Sequence, residues 1–437
     1  MSDVRLNTLP NPLIDDRIRG FPPGRPPLPI DAIGTQNWKP YDGQMGLPLM
    51  SLNQTAFAGN IEAMMGLVKE HGVEIAPHAK TPMAPALAAA LLSAGAWGTT
   101  VADIRQASVF LKAGQRKLIL ANEIGGVAAA RRLAALLSGF PDAELHIFVD
   151  SRDAVDALRQ AWGERADLPA LGLLIEFGAG RAGARSLQAG LDILNFLLAS
   201  ETPTLRLTGI AAYEGAAATP DPQETAERIR SLLHITSEFL IALRARLGDA
   251  RPLILTAGGS VFFDMVISGL RAAVAADSHC RLVLRSGAIF FHDHGIYQRG
   301  LADLDARGGY VPEGVVQSAS AAFVPALRIW AEVLSRPEAG LAICGMGMRD
   351  VANDQGLPKP LALYRNGQHH ADLAGCAVLR LNDQHAFIQL REQSDVAVGD
   401  VIEFGISHPC TCIDRHAIVY GLGPDHRVTN AYLTHFG

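Results

Sequence analysis

The chain has 437 residues, of which 49% are hydrophobic, 19% charged and 6% aromatic. This composition excludes a disordered chain and a coiled coil, and the length predicts two domains, one of them large. The formal net charge is −6, which argues against a general binder of nucleic acid or of anionic membranes. The five cysteines form no C-x-x-C pair, so no disulfide framework is predicted.

The first fifty residues are rich in proline and glycine and show no sustained periodicity, as in FPPGRPPLP at 21–29. They predict an N-terminal arm, residues 1–50, that lies extended on the rest of the protein. Acidic residues and prolines stand where a secretory signal has a basic start and an apolar run. A cytoplasmic protein is therefore predicted.

One stretch without charge, residues 81–102, has a length that could span a bilayer. It is rich in alanine rather than leucine, and Gly95 and Gly98 divide it. A buried helix followed by a short strand is the better interpretation. No membrane segment is predicted.

From residue 51 to residue 305, helical patterns alternate with short aliphatic and β-branched runs. The eight candidate strands are at 73–76, 98–101, 117–121, 144–149, 170–176, 206–213, 252–257 and 281–286. Eight strands alternating with helices predict an α/β fold of the (β/α)8 barrel type rather than a doubly wound sheet. The active site of such a barrel lies at the carboxyl ends of the strands.

Polar residues and glycines collect at these strand ends, among them Lys80, Asp103, Asn122, Glu123, Asp150, Glu176, Arg181, Tyr213, Glu214, Gly258, Gly259 and Gly287. Lys80, in PHAKT at 77–81, follows the first strand. A lysine in an apolar barrel can lose its proton and attack a carbonyl, as a Schiff-base lysine must. A solvated surface lysine is the alternative.

Two glycine loops, TAGGS at 256–260 and RSGAIFF at 285–291, follow strands seven and eight. Glycines let backbone N–H groups approach an anion closely, and this corner of a barrel often binds phosphate. The two loops together predict a phosphate site, whereas either one alone is equally an ordinary turn.

After residue 310 the alternation stops, and β-like runs follow at 327–334, 375–381, 385–391, 400–406 and 416–422. They predict a β-rich C-terminal domain over residues 306–437. Within it, SHPCTCIDRH at 407–416 carries His408, Cys410, Cys412, Asp414 and His416. Imidazole and thiolate together select zinc, and in an extended segment His408 and Cys410 share one face.

The alternative for this segment is a buried cysteine with a core histidine. Two other histidine groups, His292 and His294 around Asp293, and His369 with His370, are predicted to be solvated loop residues.

These motifs, in this order, resemble the fold-type III pyridoxal-phosphate enzymes, and within them the family of D-serine dehydratase and D-threonine aldolase. The similarity extends over nearly the whole chain. The motifs that carry it are PHAKT (77–81), LILANE (118–123), IEFGAGRAG (175–183), AAYEG (211–215), TAGGS (256–260), RSGAIFF (285–291), GMGMRDVANDQGLP (345–358), NDQHAFI (382–388), VGDVI (398–402) and SHPCTCID (407–414).

The resemblance implies Lys80 as the catalytic lysine and pyridoxal 5'-phosphate as the cofactor. The implied cofactor site consists of Lys80, His78, Arg181, Tyr213, Thr256, Gly258, Gly259, Ser260, Gly287 and Ile289. A divalent metal at His408 and Cys410 is implied as well. The H-x-C spacing resembles the zinc pattern of the dehydratases, whereas the aldolases resemble H-x-D with a manganese-like metal. Zn²⁺ is therefore expected, with Mn²⁺ as the alternative.

Four residues depart from the family pattern. Pro82 stands where a histidine often continues the lysine motif, and Ser260 stands where the phosphate loop has a threonine. Cys412 and His416 are ligand candidates that the pattern does not need.

The implied reaction is dehydration of a D-β-hydroxy amino acid, in which D-serine gives pyruvate and ammonia. Lys80 takes the α-proton, the cofactor accepts electrons, and the metal assists departure of the β-hydroxyl group. One alternative is D-threonine aldolase chemistry, which gives glycine and an aldehyde. A racemase lacks an identifiable second base among Tyr364, Tyr420 and Tyr432, and a non-catalytic cofactor-carrying barrel would lack the second domain. Related enzymes are usually dimers, so a homodimer is expected.

Overall fold

The computed structural model describes residues 11–163, 165, 167–248 and 250–436. Its strands are β1 (Leu13–Ile14), β2 (Leu28–Pro29), β3 (Leu49–Asn53), β4 (Glu74–Ile75), β5 (Thr99–Val101), β6 (Lys117–Leu120), β7 (Glu144–Val149), β8 (Leu171–Phe177), β9 (Leu205–Ala212), β10 (Leu253–Ala257), β11 (Cys280–Leu284), β12 (Leu327–Glu338), β13 (Leu341–Cys344), β14 (Lys359–Arg365), β15 (Gln368–Asp372), β16 (Ala377–Leu381), β17 (Ala386–Gln389), β18 (Val401–Gly405), β19 (Ile418–Leu422) and β20 (Val428–Leu433). Its α-helices are α1 (Gln54–Glu70), α2 (Pro85–Ser93), α3 (Ile104–Lys112), α4 (Gly126–Leu137), α5 (Arg152–Trp162), α6 (Leu187–Ser200), α7 (Pro222–Leu247), α8 (Phe263–Ala275), α9 (Ile296–Ala306), α10 (Ala319–Ala322) and α11 (Pro409–Ile413).

Strands β4 to β11 form a parallel sheet, which within the described residues has eight strands in the order β4-β11-β10-β9-β8-β7-β6-β5. The sheet curls until its two edges meet. The backbone N–H of Thr100 donates to the carbonyl of Pro77, and that of Trp97 donates to the carbonyl of Ile75. The predicted (β/α)8 barrel is confirmed, with each of the eight predicted strands in place.

Successive side chains of a strand point to opposite faces of the sheet, so the barrel sheet has one apolar face toward the helices and one toward the interior. In β6, Leu118 and Leu120 belong to the main core between strands and helices, whereas Ile119 belongs to a second cluster. The buried members of that cluster come from around the sheet and are Ala76, Ile119, Ala121, Phe148, Leu174, Ala211, Ile254 and Val283. They fill the inside of the barrel, so the sheet encloses a packed core and not a pore.

Several helices begin where a side chain can accept a free backbone N–H. Asn53, Asp103, Ser151 and Ser186 cap α1, α3, α5 and α6 in this way. Helix α2 and strand β5 occupy the stretch without charge at 81–102. Among the described residues, no helix has the length and apolar character that a membrane crossing requires.

The predicted β-rich C-terminal domain is confirmed. Its sheet runs β15-β14-β18-β12-β13-β17-β16, and β19, β20 and β3 extend it. Strand β3 precedes the barrel in the chain, yet it pairs with β12 and β19. The predicted boundary between residues 50 and 51 falls inside β3, because hydrogen bonds tie this strand to the C-terminal sheet.

The N-terminal arm packs on the same domain. Phe21, Ile33 and Trp38 are buried in one cluster with Trp330 and Tyr420 of the C-terminal sheet. Burial of each large apolar side chain contributes about 1.5–3 kcal/mol. The arm is therefore held by packing as well as by hydrogen bonds, although it contains little regular structure.

Candidate active site

The loop after β4 holds Lys80 at the carboxyl end of the barrel. Backbone hydrogen bonds fix this loop to both neighbouring strands, since Ala79 donates to Thr100 and His78 donates to Arg285. The Lys80 side chain is exposed, and Thr81 beside it is buried. The lysine therefore stands at the barrel mouth, where barrels of this type carry their active sites.

His78 packs under this loop as a neutral imidazole. Burial, together with the positive charges of Lys80 and Arg285, lowers the pKa of His78 well below its usual range. Its Nδ1 lies 3.5 Å from the backbone N–H of Lys80. The imidazole thus accepts a long hydrogen bond from the lysine loop without adding a positive charge there.

Arg181 and Tyr213 meet beyond the ends of β8 and β9. The Arg181 guanidinium lies 4.9 Å from the centroid of the Tyr213 ring, a cation–π contact. Its Nη2 is 3.4 Å from Oε1 of Glu176, which is buried. Burial raises the pKa of Tyr213, so its phenol stays protonated at neutral pH.

Glu123, which follows β6, is a second carboxyl group near this end of the sheet. Burial and the interaction with the Glu176 carboxyl group raise the pKa of Glu123 to about 8. Each of the two carboxyl groups has one buried oxygen that receives no hydrogen bond from the described residues. The sequence places both residues at strand ends, but only the structure shows that Glu176 contributes to the raised pKa of Glu123.

The two glycine loops lie side by side. The Ser286 hydroxyl donates to the carbonyl oxygens of Gly258 and Ser260, at 2.6 and 3.0 Å. Gly258 has a φ of +73°, and a Cβ at Gly287 would overlap the backbone of His78. Both positions therefore require glycine, and the loops reach the lysine loop backbone to backbone.

Glu214 holds the first glycine loop from within the protein. Its buried carboxylate accepts the Gly258 N–H at 2.9 Å and the Ser260 hydroxyl at 2.6 Å. The Gly258 N–H and the Ser260 hydroxyl of the predicted phosphate loop therefore each have a hydrogen-bond acceptor within the protein. Gly259 faces Tyr213, because a Cβ there would come 3.1 Å from the ring.

Two of the predicted cofactor residues point into the interior. Thr256 is fully buried, and its hydroxyl donates to the carbonyl of Val283 at 2.8 Å. Ile289 is fully buried in the main core. Their side chains support the glycine loops and expose no surface at the mouth.

Arg285 begins the motif RSGAIFF (285–291), and its position in the sequence alone predicts no role for it. It is 2% exposed and donates to Thr256 Oγ1 at 2.9 Å and to the carbonyl of Ala212 at 2.8 Å. Its guanidinium lies 5.2 Å from the centroid of the Phe148 ring. The partners of this buried cation are therefore neutral groups, whereas a buried charge is normally paired with an opposite one.

The segment that carries His408 and Cys410 forms a short helix, α11, and is not extended as the sequence analysis supposes for a shared face. His408 precedes this helix, and its Nδ1 lies 2.6 Å from Oδ2 of Asp354. Sγ of Cys410 is 3.2 Å from Oγ1 of Thr81 in the lysine loop. Burial lowers the pKa of His408, but its interactions with Cys410 and Asp354 outweigh this effect and raise the pKa to about 9.

Cys412 and His416 have other partners. The Cys412 thiol is fully buried and accepts the Ala352 N–H at 3.3 Å, and burial raises its pKa to about 12. His416 is buried with Nε2 2.8 Å from the carbonyl of Asp350. Both side chains hold the 345–358 loop against the segment.

The prediction that residues 292–294 are solvated is wrong. His292 and Asp293 are buried, and Asp293 accepts the N–H groups of Gly295 and Tyr297. The backbone N–H of His294 donates to the carbonyl of Ile406 at 2.8 Å. His292 and Asp293 are buried, and His294 is partly buried, because this barrel loop packs against the segment just before His408. His369 and His370 are exposed as predicted, but they lie in β15.

Comparison with known proteins gives the same two-part architecture. Residues 52–265 match the family model "Alanine racemase, N-terminal domain", and residues 326–422 match "Putative serine dehydratase domain". The chain is similar to D-threonine aldolase from an Arthrobacter species, with 25% identity over 408 residues, which are 91% of this chain and 92% of the relative.

Two solved structures share the fold. D-threonine aldolase from Filomicrobium marinum has a TM-score of 0.70 at 23% identity, covering 89% of this chain and 95% of that one. D-threo-3-hydroxyaspartate dehydratase, solved as a cysteine-to-alanine mutant in the metal-free form, has a TM-score of 0.65 at 21% identity and covers 89% and 97%.

A barrel of the alanine-racemase type, followed by a β-domain, defines the fold-type III pyridoxal-phosphate enzymes. The chain belongs to this class, and within it to the lyase family of D-threonine aldolase and D-threo-3-hydroxyaspartate dehydratase. The resemblance drawn from the sequence motifs is confirmed.

Proposed function

We propose that this chain is a pyridoxal-phosphate- and metal-dependent lyase that acts on D-β-hydroxy amino acids. The observation that carries the proposal is the contact between Cys410 and Thr81, because Thr81 directly follows Lys80. It sets the pair His408 and Cys410 beside the lysine loop. In a β-hydroxy amino acid the hydroxyl group is one carbon away from Cα, so a metal next to the lysine suits such a substrate.

The residues at the mouth fit pyridoxal phosphate. The phosphate is an anion, and Arg285 is a buried cation whose hydrogen-bond partners are neutral. An anionic ligand nearby would stabilise such a charge. The residues that we propose to hold the cofactor are Lys80, His78, Arg181, Tyr213, Arg285 and the loop residues Gly258, Gly259, Ser260 and Gly287, with Thr256 and Ile289 supporting these loops from below.

His408 and Cys410 fit a divalent metal that keeps open positions. The carboxylate of Asp354 engages Nδ1 of His408, which leaves Nε2 available to a metal. Within the described ranges no cluster of three or more His, Cys, Asp or Glu side chains is arranged for a metal. Water and substrate would complete the coordination, as in catalytic sites. A thiolate with an imidazole favours zinc, and manganese is the alternative.

The cofactor supplies an electron sink at Cα, and the metal supplies a Lewis acid for the β-oxygen. Lys80 Nζ would accept the proton of Cα in a dehydration, and would donate a proton to Cα after a retro-aldol cleavage. Arg181, held by Glu176 and stacked on Tyr213, presents a guanidinium to anionic groups at the mouth. His78 remains neutral and so leaves Lys80 without a second cation on this loop.

Retro-aldol cleavage is the first candidate reaction, because a D-threonine aldolase is similar to this chain over nearly its whole length. Dehydration, including the conversion of D-serine to pyruvate and ammonia, is the second candidate. Cys410 favours it, since the H-x-C pattern resembles that of the dehydratases. The two reactions differ in where the first proton leaves, at the β-hydroxyl group for cleavage and at Cα for dehydration.

One experiment separates the two reactions, because D-threonine is a substrate for either. The purified protein is incubated with pyridoxal phosphate, D-threonine and either Zn²⁺ or Mn²⁺, and the products are identified by NMR. Glycine with acetaldehyde indicates the aldolase, and 2-oxobutanoate with ammonia indicates the dehydratase. If D-threonine, D-serine and 3-hydroxy-D-aspartate all remain unchanged, the proposed function is wrong.

The metal's part is tested with Cys410→Ala. This variant should lose turnover while it keeps the cofactor. The control is Cys280→Ala, which changes a thiol at the start of β11 and should keep both turnover and cofactor. Equal turnover of Cys410→Ala and the unchanged protein would contradict a catalytic metal at this cysteine. The homodimer expected from the resemblance is part of the proposal, and light scattering of the purified protein distinguishes it from a monomer.

A further inference from the structure

The side chain of Arg19 joins the N-terminal arm to the 345–358 loop. Nη1 of Arg19 donates to the carbonyls of Arg349 and Arg415, at 3.0 and 3.3 Å. The same nitrogen lies 3.1 Å from Oδ1 of Asp350. Two of these partners belong to the loop, and the third follows α11. The guanidinium therefore stands where the loop meets the end of the segment that carries the proposed metal pair.

The carboxylate that faces Arg19 is buried. Asp350 is 4% exposed, and its other oxygen, Oδ2, accepts the backbone N–H of Gly347 at 2.8 Å. A buried charge that loses its opposite charge is strongly destabilised. Arg19 itself is partly exposed, so its replacement removes a charge and two hydrogen bonds without opening a cavity in the core. Loss of Arg19 should therefore loosen the loop locally.

The same loop holds His408 and the helix after it. Oδ2 of Asp354 lies 2.6 Å from Nδ1 of His408, and Oδ1 of Asp354 accepts the Thr411 hydroxyl at 2.8 Å. The N–H of Ala352 donates to Sγ of Cys412 at 3.3 Å. Because these contacts join the loop to both ends of α11, a shift of the loop changes the orientation of the imidazole.

Arg415 completes a closed set of contacts. Its Nε donates to the carbonyl of Met348 in the loop at 3.0 Å, and its own carbonyl accepts the hydrogen bond from Arg19. Arm, loop and the 407–416 segment are thus hydrogen-bonded to one another in each pairing. Contacts arranged in this way support each other, so the loss of one weakens the rest.

The backbone of the arm fixes the place of Arg19. The Tyr420 hydroxyl of β19 donates to the carbonyl of Arg19 at 3.0 Å. Gly20 has a φ of +90°, and a Cβ there would overlap the Tyr420 ring, so this position requires glycine. The next residue, Phe21, is buried against Trp38. The side chain of Arg19 therefore extends from a well-packed part of the arm.

We propose that Arg19 is a positioning residue for the metal pair, which holds the 345–358 loop so that Asp354 keeps His408 in the orientation that binds a metal. Arg19 contacts neither metal nor substrate in this scheme. The part that concerns the metal rests on the proposed function, whereas the holding of the loop does not. The alternative role is purely structural, with Arg19 fastening the arm and leaving metal affinity unaffected.

The first experiment follows amide hydrogen exchange of the apoprotein by mass spectrometry. In Arg19→Ala, peptides that cover 345–358 and 407–416 should exchange about tenfold faster than in the unchanged chain, because local opening no longer breaks the contacts of a charged group. Peptides of α4 in the barrel should keep their rates. The matched control is Arg17→Ala, since Arg17 is exposed and pairs with Asp15 on the surface. Equal exchange of the loop in Arg19→Ala and the unchanged chain would overturn the holding role.

The second experiment titrates Zn²⁺ calorimetrically into protein that carries pyridoxal phosphate and has been freed of metal with a chelator. Arg19→Ala should raise the Zn²⁺ dissociation constant by about tenfold, the lower end of the effect of losing a carboxylate behind a metal-binding imidazole. Arg19→Lys keeps the charge without the planar guanidinium and should lie between. The affinity for pyridoxal phosphate should stay the same in both variants.

A stability control separates positioning from a structural role. Ile33→Val removes one buried carbon from the cluster of the arm, which should lower the urea unfolding midpoint and leave Zn²⁺ affinity unchanged. If Arg19→Ala behaves in the same way, with a lower midpoint and an unchanged Zn²⁺ dissociation constant, the positioning role is wrong.

A double-mutant cycle tests whether the effect passes through Asp354. If it does, Arg19→Ala should add little to the loss of Zn²⁺ affinity in a protein that already carries Asp354→Ala, because the orientation of His408 is then already lost. If the two factors multiply, Arg19 acts on the metal by another route and the proposal is wrong.

Failure of this inference can be distinguished from failure of the proposed function. If the unchanged protein binds neither Zn²⁺ nor Mn²⁺, the proposed metal fails and the role of Arg19 toward it fails as well, while the exchange data still decide whether Arg19 holds the loop. If the unchanged protein binds Zn²⁺ and no D-β-hydroxy amino acid reacts, the proposed function fails, and the titrations still decide the role of Arg19.

Discussion

Replacement of Glu214 by alanine tests how the first glycine loop is held. The Glu214 carboxylate is fully buried, and it accepts the N–H of Gly258 at 2.9 Å and the hydroxyl of Ser260 at 2.6 Å. Alanine accepts neither hydrogen bond, and both donors would remain in a buried part of the loop. We therefore expect Glu214→Ala to destabilise the protein and to disorder the loop.

The size of the effect follows from these two contacts. A hydrogen bond to a charged group contributes roughly 1.5–3 kcal/mol. Two of them give an upper value of about 6 kcal/mol, but the substitution also removes the cost of keeping a carboxylate out of water. The lower end, about 3 kcal/mol, is the expected loss, and it is a large fraction of an ordinary folding free energy of roughly 5–15 kcal/mol.

Arg285 should respond to the same change. Burial lowers the pKa of Arg285, and the charges of Glu214 and Glu176 oppose that effect. Without Glu214 the buried guanidinium loses one of its two nearest balancing charges. A weaker affinity for pyridoxal phosphate should therefore accompany the loss of stability, because the loop loses its shape.

The assay combines urea unfolding of the apoprotein with spectrophotometric titration by pyridoxal phosphate. Glu214→Gln keeps a side-chain oxygen for one donor and should lie between alanine and the unchanged protein. The control is Glu224→Ala, since Glu224 is exposed and pairs with Arg228 on the surface of α7, where an ion pair contributes about 0–1 kcal/mol. If Glu214→Ala and Glu224→Ala had the same stability and cofactor affinity, Glu214 would not hold this loop.

Two further substitutions test the metal and lysine loops. Asp354→Ala should weaken Zn²⁺ binding by about 10–100-fold, which is the usual effect of removing a carboxylate that hydrogen-bonds with a metal-binding imidazole. Calorimetric titration with Zn²⁺ measures this change. An unchanged affinity for Zn²⁺ would show that Asp354 does not orient His408. Gly287→Ala introduces a Cβ that overlaps the backbone of His78. The loop of Lys80 should therefore shift, and the dissociation constant for pyridoxal phosphate should rise. An unchanged dissociation constant would contradict the close approach of Gly287 to His78.

The sequence alone predicts the barrel because each of its strands is a short apolar run that ends in a polar residue. That pattern locates Lys80, Arg181 and Tyr213 on one end of the sheet without any knowledge of their distances. Strand β6 shows why its run is continuously apolar. Leu118 and Leu120 face the helices and Ile119 faces the interior of the barrel, so both surfaces of the strand are buried. Local sequence and tertiary structure agree here, so the prediction succeeds.

The sequence fails where burial depends on remote segments. The polar run at 292–294 is typical of a solvated loop, but the chain before His408 covers it. Asp354 is 54 residues away from His408, and nothing in its own neighbourhood indicates that the two side chains meet. Strand β15 carries exposed polar residues and lacks the apolar alternation that identifies a strand.

The segment that carries His408 and Cys410 is held by contacts on both of its sides. Before it, the N–H of His294 in the barrel loop donates to the carbonyl of Ile406 at 2.8 Å. After it, Nη1 of Arg19 in the N-terminal arm donates to the carbonyl of Arg415 at 3.3 Å and forms an ion pair with buried Asp350 at 3.1 Å. A displacement of about 1 Å at a reacting centre can cost two orders of magnitude in rate. We therefore propose that barrel, β-domain and arm act as one unit, because the proposed cofactor residues lie in the barrel and the proposed metal pair lies in the β-domain between contacts from the barrel and from the arm.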